Sequence, residues 1–198
     1  LYIAQPPLYR AKRGNSEVYL KDDRALEDYL IGTAIDDGAV FTGDGGRFAG
    51  ADLRALVEAA RGAKTMIEHL GRHLPTAIVE QAAILGALNP EILSNSKLAG
   101  QTADVMAKRL DALEPPAERG WKGKTLDDGG LEFTRILRGV TEHHAIDSAL
   151  IGSTGALKLD EKAGQLQKLY ARHGVLTAKE TEIPITGPVT LVDRIMEL

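Results

Sequence analysis

Three cationic side chains near the start of the chain could bind an anion. Arg10, Lys12 and Arg13 come before a turn signal at residues 14–16. If this segment is a strand, side chains two residues apart share a face, so Arg10 and Lys12 lie side by side. Neighbouring cations suit contacts with phosphate groups, and charge alone makes all three residues candidate phosphate contacts. The alternative is a solvated hairpin whose charges discourage association through its edges.

A second group of residues has the chemistry of a metal site. His143, His144 and Asp147 could ligate zinc or manganese in a metal-dependent hydrolase. However, adjacent side chains point to opposite faces of a strand and diverge by about 100° on a helix. The two histidines therefore cannot easily hold one ion together. We expect ordinary surface or boundary histidines here, with no metal bound.

Two glycine-containing segments resemble phosphate-binding loops without meeting their requirements. Residues 123–125 (Gly-Lys-Thr) match the end of a P-loop, but position 118 is Glu where that motif needs Gly. The glycine-rich run at residues 43–46 would cradle phosphate only directly before a helix, and the helix pattern starts later. We therefore predict a hairpin turn at residues 43–46 and no bound cofactor.

The composition is that of a globular protein without membrane spans. Of the 198 residues, 43% are hydrophobic and 26% are charged, and no apolar run approaches the length of a transmembrane helix. The net charge of −4 argues against a nucleic-acid surface covering the whole domain, so any such contact must be local. The absence of cysteine excludes disulfides and thiolate metal sites and fits a cytoplasmic location.

The basic segment is positioned by short strands. The proline pair before it cannot donate ladder hydrogen bonds and so separates it from a first extended piece, residues 1–5. A turn at residues 14–16 and a returning strand at residues 17–20 complete a hairpin. A helix capped by Asp22 or Asp23 follows.

Helices dominate residues 51–114. Apolar residues three and four positions apart predict a first helix from residue 51 to about residue 73. Shorter helices follow, and the last of them, residues 97–113, is predicted to be amphipathic, with an apolar face of Leu98, Val105, Met106, Leu110 and Leu113. The helix lengths suit antiparallel packing as a helical array.

The second half of the chain alternates strands and helices. A β-hairpin is predicted over residues 121–139, a third strand over residues 140–146 and a long helix over residues 153–173. A strand candidate at residues 175–185 and a terminal helix at residues 191–198 follow. The fold class is therefore α+β: a helical array packed with short antiparallel β-hairpins.

Three stretches of the chain resemble the DNA gyrase B subunit family. The closest match, over residues 1–23, comprises YIAQPPLYR, a basic segment ending in Gly, and YLKDD. Weaker matches lie at residues 133–170 and at residues 187–189. The resemblance, together with the missing initial Met, implies a fragment inserted into a TOPRIM-type domain. Its parts would be a TOPRIM strand and hairpin (1–23), the insertion domain (24–174), and a strand and helix returning to TOPRIM (175–198).

In that family the complete subunit is part of an ATP-dependent type II topoisomerase that negatively supercoils DNA. The resemblance implies ATP and Mg²⁺ as cofactors of the parent protein. It also implies the gyrase A subunit and DNA as partners in an A2B2 complex. The E-G-D-S-A and D-x-D motifs that hold magnesium in the family are absent from this sequence. We therefore expect the fragment itself to be non-catalytic and to brace TOPRIM against DNA or neighbouring domains.

Two hypotheses about function differ in whether the apolar face of the helix at residues 51–73 is exposed or buried. In the first, the chain is this brace, and Arg10, Lys12 and Arg13 are its DNA-contact candidates, although the resemblance does not assign them that role. In the second, the chain is a stand-alone adaptor whose helix at residues 51–73 docks a partner protein. A docking helix exposes a contiguous apolar area in the folded protein, whereas a brace buries it.

Overall fold

The hairpin predicted around the basic segment is present. The computed structural model describes residues 6–198, apart from the side chain of Leu93, so the extended piece predicted at residues 1–5 lies outside the described residues. Strands β1 (Tyr9–Arg13) and β2 (Ser16–Leu20) pair antiparallel around a two-residue loop. Gly14 in this loop has a φ of 59°, a conformation that glycine adopts without steric strain.

A helix and a second hairpin follow as the sequence predicts. Helix α1 (Asp23–Asp36) is capped by Asp22, whose carboxylate accepts the N–H of Ala25 at 2.8 Å. Strands β3 (Val40–Gly43) and β4 (Gly46–Ala49) then pair antiparallel. The glycine-rich run is therefore a hairpin turn, which confirms the interpretation of its composition.

The next four helices form the array predicted over residues 51–114. Their bounds are α2 (Gly50–Leu70), α3 (Thr76–Leu85), α4 (Pro90–Ser94) and α5 (Ser96–Leu113). Helix α2 packs on α1 and α3, and α3 packs on α5. The apolar face predicted for α2 is buried and comprises Leu53, Leu56, Val57, Ala60 and Ile67.

The buried face of α5 contains only part of the predicted apolar set. Met106 and Leu110 are buried as predicted. Leu98 and Val105 are 42% and 44% exposed, while alanines on the other side of the helix are buried. The cause is the close approach of α5 to strand β5 (Lys122–Thr125), where a Cβ on Gly123 would overlap the carbonyl group of Ala103. Because only small side chains fit at such a distance, alanines form the contact face.

Strand β5 opens the predicted three-stranded sheet. Strands β6 (Leu131–Leu137) and β7 (Val140–Ile146) complete it in the antiparallel order β5-β6-β7. The predicted hairpin and third strand are thus confirmed. The short helix α6 (Ser148–Ile151) follows, with Asp147 as its N-cap.

Two helices stand where one was predicted over residues 153–173. These are α7 (Thr154–Asp160) and α8 (Ala163–Tyr170). Between them the N–H of Lys162 binds the carbonyl of Leu159, three residues earlier, at 3.0 Å, which tightens the chain into a turn. Counting the half-buried Ala163 with the buried residues, positions 156, 159, 163, 166 and 170 keep a spacing of three and four across the turn, so the sequence pattern does not reveal the break.

The strand predicted over residues 175–185 is a hairpin, formed by β8 (Gly174–Ala178) and β9 (Thr181–Ile185). Its two-residue loop contains neither glycine nor asparagine, the usual turn signals, although Lys179 has a φ of 55°. The chain ends with helix α9 (Pro188–Met196), which starts earlier than the predicted terminal helix because Pro188 occupies its first position.

A four-stranded sheet joins distant parts of the chain. Its order is β4-β3-β8-β9, and β3 pairs antiparallel with β8. The boundary predicted between residues 174 and 175 runs through this sheet. Helix α9 packs on both α2 and α1, and one buried cluster extends from α1 to α9. The architecture is α+β, as predicted. Among the described helices, none is both long and apolar enough to cross a membrane.

Candidate functional site

The outer face of the β1–β2 hairpin brings Arg10 and Lys12 together. In the strand register, Arg10 lies opposite Tyr19 and Lys12 lies opposite Glu17, and all four side chains are exposed. Neither cation forms an ion pair within the described residues. A phosphate approaching this face would meet two cations, one aromatic ring and one carboxylate. The shared face predicted from strand alternation is confirmed.

The structure separates Arg13 from the other two candidates. Arg13 lies on the inner face of the hairpin, and its guanidinium pairs with Asp37, the residue that ends α1. On the same face, the hydroxyl of Tyr9 donates a hydrogen bond to Asp23, and this bond raises the pKa of Tyr9. The charge of Arg13 is therefore already balanced within the chain, while those of Arg10 and Lys12 are not.

The carboxylate of Glu132 contacts one residue of the candidate metal group and one residue of the P-loop-like segment. Glu132 on β6 contacts Nε2 of His143 and Nζ of Lys124, each at 2.5 Å, and the bond from Lys124 lowers the pKa of Glu132. His144 faces the opposite side of the sheet, with its ring centre 6.0 Å from that of Trp121. Asp147 caps α6 instead of facing either histidine. Within residues 6–198, no group of three or more potential ligands is placed to hold a metal ion.

The sequence reasoning missed a buried carboxylate, Glu80, in the middle of α3. Its side chain is 3% exposed and accepts the N–H of Val189, in the first turn of α9, at 2.8 Å. The N-cap position of α9 is Gly187, which has no side chain, so Glu80 performs the capping role from a different helix. Burial raises the pKa of Glu80 to about 7; the Val189 N–H and Arg109 oppose this shift, and Asp193 adds to it.

Beside Glu80, the half-buried Arg109 joins three helices. Nε of Arg109, on α5, donates to Oε1 of Gln81, on α3, at 2.6 Å. Its Nη2 donates to the carbonyl of Tyr170, at the end of α8, at 3.0 Å. Burial lowers the pKa of Arg109, and the neighbouring Glu80 opposes that shift. These bonds hold α3, α5 and α8 together.

A signal for this cluster exists in the sequence. Residues 77–84 of α3 are apolar except for Glu80 and Gln81, and such a helix is buried on all sides. Charged residues are almost never fully buried unless they have partners, so their presence in this run predicts an internal polar contact. The partners come from α5 and α9, far away in the sequence, and cannot be identified without the tertiary structure.

Helix α2 holds the first and last helices of the described chain through neighbouring cations. Arg61 contacts Asp28 of α1 at 2.8 Å and Glu27 of α1 at 3.3 Å. One turn further along, Lys64 forms an ion pair with Asp193 of α9. The arrangement fixes α1 and α9 to one turn of a common helix.

Known proteins resemble the chain over its full length. The family described as the DNA gyrase B subunit insert domain matches residues 42–196, and the family described as the hook of GyrB matches residues 7–35. The hook match covers the β1–β2 hairpin and most of α1. The insert match contains all the described helices after α1. It also contains the strands after β2, except for the first two residues of β3.

Individual relatives agree with these matches. The DNA gyrase B subunit of Caulobacter vibrioides is 33% identical over 197 residues, which are 100% of this chain and 23% of the relative. The DNA gyrase B subunit of Rickettsia conorii is 29% identical over 202 residues, 100% of this chain and 24% of the relative. The type 2 topoisomerase B subunit of Aquifex aeolicus is 39% identical over 57 residues, 29% of this chain and 7% of that protein. The chain therefore spans less than a quarter of the first two relatives.

Proposed function

The chain belongs to the DNA gyrase B subunit family, and we propose that it is a non-catalytic part of such a subunit that braces neighbouring segments. The subunit would act with a gyrase A subunit, in an A2B2 complex in the cytoplasm, as an ATP-dependent topoisomerase that negatively supercoils DNA. ATP and Mg²⁺ would be used by other parts of the subunit. This division of labour is supported by the sequence, which lacks the family's acidic magnesium-binding motifs.

The observation that carries the brace proposal is the attachment of α1 and α9 to α2. Helix α1 follows the hook hairpin and α9 closes the insert, yet the two helices contact each other and share one turn of α2 through Arg61 and Lys64. An inserted domain needs its two ends close together, because it interrupts a host domain at one place. We infer that the host is the TOPRIM domain and that residues 24–174 form most of the insertion.

The burial of α2 argues against the adaptor hypothesis. Helix α2 packs against α1, α3, α7, α9 and the β3–β4 hairpin, and its residues Leu53, Val57 and Ile67 have no exposed surface. A helix that docks a partner would keep part of such a face exposed. The apolar face that the adaptor hypothesis requires is therefore buried within the chain.

We infer that the hook hairpin contacts DNA through the face that carries Arg10 and Lys12. These cations have no ion-pair partner within the described residues, so an approaching phosphate does not have to displace a carboxylate. Arg13, the third candidate, would contribute less, because binding a phosphate would compete with its ion pair to Asp37. The contact is local, in keeping with the net charge of −4.

Replacing both Arg10 and Lys12 with alanine is expected to weaken duplex binding and its salt dependence. Each lost phosphate contact lowers the slope of log affinity against log salt by about 0.9, so the double variant loses about 2 from the slope. Arg13→Ala is expected to change the slope by less than about 0.9, the value for one phosphate contact. Fluorescence anisotropy of a labelled short duplex, titrated with the chain at several low salt concentrations, measures both quantities.

The control is the double variant Lys97→Ala, Lys122→Ala, which removes the same charge from exposed positions on α5 and β5. The slope for this control is expected to stay within about 0.45 of the wild-type slope, which is half the value for one phosphate contact. Equal slopes for the hairpin variant and this control would remove Arg10 and Lys12 from the DNA-contact proposal.

A further inference from the structure

A cavity of about 500 Å³ lies between the β3–β4 hairpin, α2 and α8. This volume is within the range of small-molecule sites in proteins. The cavity is far in sequence from the hook hairpin and involves none of the residues proposed to contact DNA. Its walls are Gly45 and Phe48 from the hairpin, the first half of α2, and the last turns of α8.

The floor of the cavity is apolar. Leu56 and Leu169 are buried beneath it, and the half-buried ring of Phe48 lies on one side. The Phe48 ring is supported by Phe41, whose centre is 6.1 Å away, and Phe41 is itself fully buried. Ala59 on α2 leaves the space above these rings open, because its side chain is a single methyl group. A flat apolar molecule could lie on this floor.

The rim of the cavity carries an excess of positive charge. Arg47 extends from β4 and Lys168 from α8, so the two cations come from different sides. Within the described part of the chain, neither has a carboxylate within ion-pair distance. The one acidic residue of the rim, Asp52, lies in the first turn of α2, where the helix dipole already stabilises its charge.

We propose that this cavity binds an organic anion with a flat apolar body, held by Arg47 and Lys168. The apolar body covers Phe48, Leu56 and Leu169, and the acidic group lies between the guanidinium and the ammonium. Two charge-assisted hydrogen bonds from fixed sides of a cavity select an anion over a neutral molecule of the same shape. The ligand class is therefore an aromatic carboxylate, sulfonate or phosphate.

A pair of fluorescent probes tests this site with the full chain. 8-Anilino-1-naphthalenesulfonate has a flat apolar body with an acidic group, and N-phenyl-1-naphthylamine has the same body without it. The anion is expected to bind once per chain and at least about tenfold more tightly than the neutral probe, as charge-assisted hydrogen bonds imply. Amide shifts in a ¹⁵N spectrum are expected to concentrate at Gly45, Phe48, Ala59 and Leu169.

Two variants and one control complete the experiment. Arg47→Ala with Lys168→Ala is expected to weaken anion binding by about tenfold or more and to leave binding of the neutral probe unchanged. Ala59→Phe, at an exposed position, fills the cavity and is expected to abolish binding of both probes. The charge-matched control, Lys97→Ala with Lys122→Ala, is expected to stay within about twofold of wild type. Equal affinity for the two probes, shifts centred elsewhere, or undiminished binding to Ala59→Phe would overturn the proposal.

Discussion

Gly187→Ala is expected to lower the free energy of unfolding by about 2–3 kcal/mol, at the upper end of the cost of overpacking a well-packed site. The backbone does not demand glycine here, because φ is −178°, which any residue adopts. Glycine is required because there is no space for a side chain at this position. A Cβ on Gly187 would overlap the carboxyl group of Glu80, and it would lie 2.8 Å from Oε2. Glu80 cannot retreat without losing its bond to Val189 and uncapping α9.

Urea unfolding of the variants measures this cost. The control is Gly164→Ala in α8, where a new Cβ meets no atom within 4 Å and where alanine is expected to stabilise the helix by about 0.5–1 kcal/mol. In a Glu80→Ala background, Gly187→Ala is expected to cost much less, because the overlapping group is gone. Equal changes in the free energy of unfolding for Gly187→Ala and Gly164→Ala in the wild-type background would contradict the close approach of Glu80 to the N-terminus of α9.

Glu80→Gln is expected to remove a large part of the pH dependence of stability between pH 4.5 and about pH 7. The pKa of Glu80 rises from 4.5 to about 7 on folding, so between these values the folded state keeps a proton that the unfolded state has lost. The free energy of unfolding contributed by this group is therefore greatest below pH 4.5. It falls by about 3 kcal/mol as the pH rises through the window. Glutamine keeps the acceptor for Val189 and does not titrate.

Chemical unfolding at a series of pH values, for wild type and variant, isolates the contribution of Glu80. The difference in unfolding free energy between the two proteins is expected to change by about 3 kcal/mol across the window, in favour of wild type at low pH. Glu132→Gln is the control, and the pH dependence of stability that it removes is expected to have the opposite sign. The pKa of Glu132 is lowered by its bond to Lys124, so its contribution is lost as the pH falls. Parallel curves for wild type and Glu80→Gln would contradict the buried cap.

The local parts of the fold could be predicted from the sequence. The hairpin turn at residues 43–46, the Asp22 cap and the buried face of α2 depend on turn chemistry and periodicity, which act over a few residues. The β8–β9 hairpin was missed because its loop carries no glycine. The break between α7 and α8 was missed because apolar spacing continues across it. The pairing of β3 with β8 joins residues far apart, and no local pattern encodes it.

The candidate site divides in the same way. Strand alternation placed Arg10 and Lys12 on one face, because that relation is local. The ion pair of Arg13 with Asp37 depends on the angle between the hairpin and α1, which the sequence does not specify. Glu80 and Gln81 could be recognised as anomalies within an apolar helix, but their roles follow from Val189 and Arg109, which reach them only through the tertiary fold.

The rigid attachment of α1 and α9 is tested most directly by one distance measurement. The sequence contains no cysteine, so cysteines introduced at the exposed positions Asp36 and Arg194 accept spin labels at those sites alone. Double electron–electron resonance is expected to give a single narrow distance distribution for the folded chain, because both helices are fixed to α2. A broad or multiple distribution would show that the two helices move independently, and the chain could then not serve as a brace.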